Sequence, residues 1–250
     1  MIDPPPRQQS AWPIALLVLA LCAGGWMFQR YLQRERQWAS LLKVDGAAVM
    51  HDRELTNFAI AEARPLYTRH CVRCHGADLK GQRTNGAPNL VDSYWLYGDG
   101  SVFDIERTIL YGVRSGYGKS HNVTDMPAFG LTGRLSSDEI RDLVQYLLQL
   151  SGQPHQATAA TAGRALYFDV AKANCADCHG ESAQGNADYG APNLSVDVWR
   201  TGDDAQQFYQ AIYSGQHRSM PGWFGALNLA QIRALAVYVY AMSHGASGSG

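Results

Sequence analysis

CVRCH at residues 71–75 and CADCH at residues 175–179 are two copies of one five-residue pattern, 104 positions apart. The spacing Cys-x-x-Cys-His is the attachment pattern of c-type haem. The two thiols add to the vinyl groups of the porphyrin, and the adjacent histidine is placed to bind the iron from one face. The repeat therefore predicts two covalently bound haem c groups and their iron. The predicted attachment and ligand residues are Cys71, Cys74, His75, Cys175, Cys178 and His179.

Four of the five cysteines belong to these motifs, so none of the motif thiols is left for a disulfide framework. One shared zinc site with four sulfur ligands, or a redox dithiol, is the alternative use of such pairs. Neither alternative explains a histidine at the same following position in both copies. Covalent haem attachment also implies a compartment outside the cytoplasm.

The repeat continues beyond the haem motifs. Residues 86–90 and 190–194 both read GAPNL, and Pro88 and Pro192 each follow their histidine by 13 residues. A proline at this point gives a rigid extended turn. Its carbonyl could also accept a hydrogen bond from the histidine ring, which would fix the tautomer of an iron ligand.

Two tryptophans, Trp95 and Trp199, continue the match at the same offset. Each is large enough to pack on a haem or to bond a propionate, and packing in a protein core is the alternative. Both are predicted to contribute to the haem-binding sites.

A methionine followed by proline occurs near the end of each repeat, at Met126 and Met220. Thioether sulfur is a soft iron ligand, and His/Met ligation raises the reduction potential of a haem. Met126 lies 51 residues after His75 and Met220 lies 41 residues after His179. Both methionines are predicted iron ligands, with His121 and His217 in the same loops as competitors.

The segment 11–28 reads AWPIALLVLALCAGGWMF and contains no charged residue. As a helix it is about 27 Å long, close to the thickness of the hydrocarbon core of a membrane. A cleaved signal peptide is the alternative, but only Arg7 gives a positive charge before the segment and no clean cleavage site follows. We expect a retained single-pass anchor, with a short cytoplasmic tail before it and the haem domains outside the cytoplasm.

The 250 residues are enough for two compact domains and an anchor, and the net charge of −1 argues against a nucleic-acid partner. The predicted divisions are a cytoplasmic tail at 1–10, the transmembrane helix at 11–28, a stalk at 29–54, a cytochrome c domain at 55–150, a linker at 151–161, a second cytochrome c domain at 162–244 and a flexible tail at 245–250.

These motifs together resemble one family. A glycine six residues after each haem histidine, GAPNL, WLYG at 95–98, and MPAF or MPGW before a closing helix are similar to the membrane-anchored dihaem subunit (subunit III, CcoP/FixP-like) of cbb-type cytochrome c oxidases. The resemblance covers residues 61–244. It implies an all-α fold, with one N-terminal transmembrane helix followed by two tandem class I cytochrome c domains, in each of which an N-terminal and a C-terminal helix cross near the haem edge.

Four tyrosines fall where such helices carry packing aromatics, Tyr67 and Tyr146 in the first domain and Tyr167 and Tyr238 in the second. The resemblance also implies an electron-transfer subunit of the bacterial inner membrane, with its haem domains in the periplasm and no catalytic residues of its own. Its expected partners are haem-copper oxidase subunits, membrane lipid, and an electron donor that is a cytochrome c or a cytochrome bc complex.

Two other functions use the same haem residues. The chain could be a free membrane-anchored dihaem carrier, or the cytochrome subunit of a periplasmic dehydrogenase. A dihaem peroxidase would need one haem without its methionine, and the parallel positions of Met126 and Met220 argue against it.

Overall fold

The computed structural model describes residues 12–82, 87–121, 124–195, 204–217 and 219–245. In these ranges the regular structure is helical and extended backbone is limited to isolated bridges, which confirms the all-α expectation. The helices are α1 Trp12–Lys43, α2 Gly46–Val49, α3 Arg53–His70, α4 Val72–His75, α5 Val102–Tyr111, α6 Ser137–Leu150, α7 Ala157–Phe168, α8 Cys175–His179, α9 Asp204–Ser214 and α10 Leu229–Ser243. Trp199, the predicted tail at 1–10 and residues 246–250 lie outside the described residues.

The two closing helices begin at the same kind of signal. The Ser136 side chain accepts from the N–H of Glu139, whose carboxylate accepts in return from the N–H of Ser136. Asn228 and Gln231 form the same reciprocal pair at the start of α10. Such capping boxes satisfy backbone donors that the first turn of a helix leaves unpaired.

The long first helix, α1, contains most of the predicted anchor and runs without interruption into the predicted stalk. The apolar side chains of its described part, such as Leu16, Leu19 and Phe28, are exposed. Within the residues that the structure describes, no helix has the combined length and apolar character required for a membrane crossing. Ala11 and the side chains of 12–15, which open the predicted anchor, lie outside that description.

The hydrophobic cores do not follow the order of the sequence repeats. Helix α10 packs on α3 and α5, whereas α6 packs on α7 and α9. We therefore define the first module as residues 41–113 with 220–245, and the second module as residues 126–216. Each module combines the haem motif of one repeat with the closing helix of the other.

The tyrosines show the same exchange. The ring of Tyr67 in α3 packs on that of Tyr238 in α10, with centroids 5.4 Å apart, and Tyr146 in α6 packs on Tyr167 in α7 at the same distance. N-terminal and closing helices cross, but each crosses the closing helix of the other repeat. The ranges 55–150 and 162–244 thus describe the two sequence repeats. Each hydrophobic core is built from helices of both ranges.

The short connection between α6 and α7 favours this arrangement. Helix α7 begins at Ala157, so the non-helical part of the predicted linker 151–161 is only residues 151–156. A short loop between helices favours antiparallel neighbours. Gly163 permits a close approach, because a Cβ there would lie 2.0 Å from the carbonyl oxygen of Asp142.

Where the chain passes from one module to the other, the crossing segments are hydrogen-bonded. Val113 and Met220 exchange two backbone hydrogen bonds of 3.0 and 2.9 Å, and Met126 and Gln216 exchange two of 3.1 Å. Gly112 has a φ of +75°, and a Cβ at this residue would lie 2.3 Å from the Met220 carbonyl oxygen. The backbone of Met220 is therefore held by the segment that follows α5, and the backbone of Met126 by the segment that follows α9.

Candidate haem sites

Each haem motif lies on one short helical turn. In the first motif the N–H groups of Cys74 and His75 donate to the Cys71 carbonyl at 3.0 and 2.9 Å. Residues i, i+3 and i+4 share one face of a helix, so the turn directs both thiols and the imidazole to the same side. The second motif forms the equivalent turn in α8.

The proline carbonyls lie beside the histidine rings. His75 Nδ1 is 3.3 Å from the Pro88 oxygen, and His179 Nδ1 is 2.9 Å from the Pro192 oxygen. A proton on Nδ1 donated to this carbonyl leaves Nε2 as the nitrogen for a metal. Burial lowers the pKa of both histidines and outweighs the opposing effect of the carbonyl, so the neutral imidazole is favoured.

The thiols differ in their surroundings within each motif. The first cysteine packs against the apolar core of its module, and burial raises the pKa of Cys71 to about 11 and that of Cys175 to about 12. The second cysteine is more accessible, with Cys74 exposed. An apolar wall at the first thiol suits the edge of a porphyrin, to which a vinyl group is attached.

The exchange of closing helices decides which methionine reaches which motif. Met220 packs against the first core together with Cys71, and Met126 packs against the second core together with Cys175. The sequence spacing had placed Met126 with the first motif and Met220 with the second. The structure brings together the opposite pairs.

Each module contains two thiols, an imidazole nitrogen and a thioether sulfur, which are the donor types that a covalently attached His/Met haem requires. The comparisons with known proteins agree with this chemistry. Residues 60–151 match the family model of cytochrome c, and residues 158–239 match that of cytochrome c oxidase, cbb3-type, subunit III.

The chain is 36% identical over 205 residues to the cbb3-type cytochrome c oxidase subunit CcoP of Cereibacter sphaeroides, a match that covers 82% of this chain and 68% of that protein. This chain belongs to the CcoP/FixP family. FixP of a Bradyrhizobium species is 37% identical over 213 residues, 85% of this chain and 71% of that protein. CcoP of Rhodobacter capsulatus is 37% identical over 213 residues, with 82% and 69% covered.

As a member of the CcoP/FixP family with two cytochrome c domains, the chain carries two covalent haem c groups. It is an electron-transfer subunit and has no catalytic activity by itself.

The competing histidines are engaged elsewhere. His121 stacks on Tyr97, with ring centroids 4.0 Å apart, and its Nε2 lies 3.3 Å from the Thr108 hydroxyl. His217 is an exposed residue whose Nδ1 lies 3.1 Å from the carboxylate of Asp125. These contacts favour Met126 and Met220, rather than the two histidines, as the iron ligands of this CcoP/FixP family member.

Trp95 is half-buried against the first core, and its indole lies so close to Gly100 that a Cβ there would meet it at 2.2 Å. This places Trp95 in the first module and leaves its contact with the haem as a prediction. Sequence reasoning missed Tyr94, whose hydroxyl reaches the second module. Its position next to the matched tryptophan was the only signal that could have singled it out.

Two tyrosine hydroxyls hold the ends of the motif turns. Tyr67 donates to the Gly76 carbonyl at 2.8 Å, and Tyr167 donates to the Gly180 carbonyl at 2.7 Å. Burial is the main cause that raises the pKa of each phenol well above its ordinary value. The folded chain thus keeps both phenols protonated at pH values where the unfolded chain has lost these protons.

We expect the free energy of unfolding to fall as the pH rises above about 10, the ordinary pKa of tyrosine, because the unfolded state then binds fewer protons than the folded state. In the Tyr67→Phe/Tyr167→Phe chain the decrease should be smaller, whereas stability at pH 7 should drop by about 1 kcal/mol per lost hydrogen bond. Denaturant unfolding at pH 8, 10 and 11 measures both effects. Equal pH slopes in the two chains would contradict this assignment.

Proposed function

We propose that the chain passes electrons from a periplasmic donor to the catalytic subunits of a cbb3-type oxidase, through one haem ligated by His75 and Met220 and a second ligated by His179 and Met126. The observation that carries these pairs is the exchange of closing helices, which packs each methionine against the core that also contacts the haem motif of the other repeat. When bound, the haem iron supplies one-electron transfer.

The residues around each haem prepare the ligands for this role. His179 is buried and His75 is half-buried, and each faces a proline carbonyl, which favours a neutral ring with Nε2 directed to the metal. A thioether as the second ligand favours a high reduction potential, as an entry site to an oxidase requires. Apolar packing around Cys71 and Cys175 limits the access of water.

The exposed apolar side chains of α1 support a membrane anchor. Leu17, Leu21, Trp26 and Met27 are each more than 60% exposed, on a helix that continues into the haem-bearing part of the chain. Such a surface is suited to lipid or to apolar helices of partner subunits. We therefore place residues 11–28 in the inner membrane and the haem modules in the periplasm.

The end of α1 is attached to the first module. Arg34 makes a two-pronged ion pair with Glu62 of α3, with both N–O distances 2.6 Å, and the ring of Trp38 packs edge-on against Phe58, with centroids 5.2 Å apart. Leu41 is fully buried in the first core.

A residue of the last helix strengthens this joint. The Arg233 guanidinium donates to the carbonyls of Leu41 at 3.1 Å and Val44 at 2.9 Å, and it pairs with the Glu106 carboxylate. A cation at the C-terminal end of α1 complements the negative end of the helix dipole. The joint keeps the first module close to the anchor.

This attachment gives a direction to the proposed electron path. The first module, which contains His75, is continuous with the anchor, whereas the second module contacts the first. We therefore expect the donor to reduce the haem of the second module, and the haem of the first module to deliver electrons to the membrane subunits.

Purification from native membranes in mild detergent tests the proposed partner. We expect haem-copper subunits with b-type haem and copper to copurify with this chain. A periplasmic dehydrogenase in their place, or a dihaem protein without any partner, would overturn the oxidase assignment and favour one of the alternative carriers.

Arg233→Gln is expected to leave both haems attached but to reduce the amount of oxidase that copurifies with the chain, because the joint between anchor and first module is weakened.

A further inference from the structure

A tyrosine of the first module is hydrogen-bonded to the loop that holds the histidine of the second haem. The Tyr94 hydroxyl accepts a hydrogen bond from the backbone N–H of Asn193 at 2.8 Å. The two residues are 99 positions apart and belong to different repeats. Both are partly buried, so the hydrogen bond is sheltered from water.

The N–H bound by Tyr94 belongs to the peptide group that also contacts His179. The Pro192 carbonyl and the Asn193 N–H are the two ends of this group, and the carbonyl oxygen lies 2.9 Å from His179 Nδ1. A hydrogen bond accepted from one end of an amide polarises the other end, so linked hydrogen bonds strengthen each other. The Tyr94 hydroxyl therefore makes the carbonyl a stronger acceptor. The Nε2 atom of the imidazole in turn becomes a stronger electron-pair donor to a metal.

The local backbone presents both partners of this contact. The Asp92 carboxylate accepts from the N–H of Tyr94 at 3.1 Å, which fixes the turn before the ring. The Asn193 side chain accepts from the N–H of Ser195 at 2.8 Å and from its hydroxyl at 2.7 Å. The Asn193 side chain is thus directed along its own loop, and its backbone N–H points to Tyr94.

The first haem cannot have the same support from the matching position. At the offset of 104 the counterpart of Tyr94 is Val198, which has no hydroxyl. The corresponding histidine contact is also longer, 3.3 Å from His75 Nδ1 to the Pro88 oxygen. The two haem sites have the same kinds of ligand. They therefore differ in the hydrogen bonding of the proline carbonyl that contacts each histidine ring.

We propose that Tyr94 is a positioning residue for the second haem, which acts through the Pro192–Asn193 peptide to strengthen His179 as a ligand and so lowers the reduction potential of that haem. This inference rests on the proposed role of His179 as an iron ligand. It makes the second haem sensitive to the contact between the modules, since the hydroxyl that supports it comes from the first module.

Tyr94→Phe tests the inference because it removes the hydroxyl and keeps the ring. A Cys74→Ala background leaves the first haem with one thioether bond, which shifts its absorption band and lets each haem be titrated separately. In Tyr94→Phe the ratio of reduced to oxidised second haem at a fixed ambient potential should rise about threefold. At 59 mV per tenfold for one electron, this is a shift of about 30 mV. The first haem should not change.

Tyr189→Phe is the matched control, because Tyr189 is an exposed tyrosine in the haem loop of the second repeat, and its potentials should equal those of the parent. An unchanged second-haem potential in Tyr94→Phe, or a shift of the first haem instead, would overturn the inference. The ligand assignment is tested apart from it: a His179→Ala chain that keeps two low-spin haems would overturn the proposed ligands.

Hydrogen exchange at the Asn193 amide of the unsubstituted holoprotein gives a second test that needs no variant. A hydrogen-bonded, partly buried amide should exchange much more slowly than an open one. Slow exchange supports the Tyr94 contact, and exchange at the rate of an open amide rules it out even if Tyr94→Phe fails to incorporate haem.

Discussion

Met220→His is expected to lower the reduction potential of the haem attached at Cys71 and Cys74, and to leave the haem at Cys175 and Cys178 nearly unchanged. An imidazole is a stronger donor than a thioether and stabilises the oxidised iron. Since axial ligands span a range of about 0.8 V, a decrease of roughly 0.2 V is a reasonable expectation. The affected haem is the first one because Met220 packs against the core that contains Cys71.

Redox titration of the Cys74→Ala background, in which the first haem is spectrally marked, assigns the shift to one haem. Met126→His is the matched variant and should lower the potential of the unmarked second haem alone. If Met220→His instead shifted the second haem, the methionines would serve the motifs of their own repeats and the exchanged ligand pairs would be refuted. This outcome would leave the four ligand residues in place and change only their pairing.

The sequence predicts which residues hold the haems, but it does not show which repeat supplies the partner of each histidine. The haem motifs, the prolines and the Met-Pro steps each repeat, and local hydrogen bonds form the turn of each motif. Both pairings of closing helix and haem motif satisfy this pattern equally well, because the helices α6 and α10 carry apolar residues at the same spacing. The choice depends on features between the repeats, such as the six-residue connection from α6 to α7 and the absence of a side chain at Gly163.

Contacts between segments far apart in the chain could not be predicted from the sequence either, because they too depend on how the helices pack. Tyr94 binds a backbone amide 99 residues away, and Arg233 binds the carbonyl of Leu41 across 192 residues. The sequence next to each of these residues does not distinguish it from any other surface tyrosine or arginine of a helical protein. Only the packing of one module on the other, or of α10 on α1, gives these two side chains their roles.

A chain that ends after Ser151 is expected to lose the fold of the first module, although it contains the whole first repeat. Helix α10 contains nine buried residues and packs in the core of the first module. Four of them, Ile232, Leu235, Val237 and Val239, are large aliphatic side chains that together contribute about 6–12 kcal/mol by burial. This is comparable to the entire stability of a typical domain, about 5–15 kcal/mol. The shortened chain also lacks Met220.

Coexpression of residues 1–151 with residues 152–250 is the matched control, because the break falls between α6 and α7 and removes no buried contact of α10. We expect the pair to assemble and to show two low-spin His/Met haems, whereas 1–151 alone should show no cooperative unfolding transition and no Met-ligated haem. The opposite result would be a stable 1–151 chain in which Met126 ligates the haem of His75. Helix α6 would then be able to replace α10 on α3, and the exchange would be a choice between two packings of similar energy, set by the connection at 151–156.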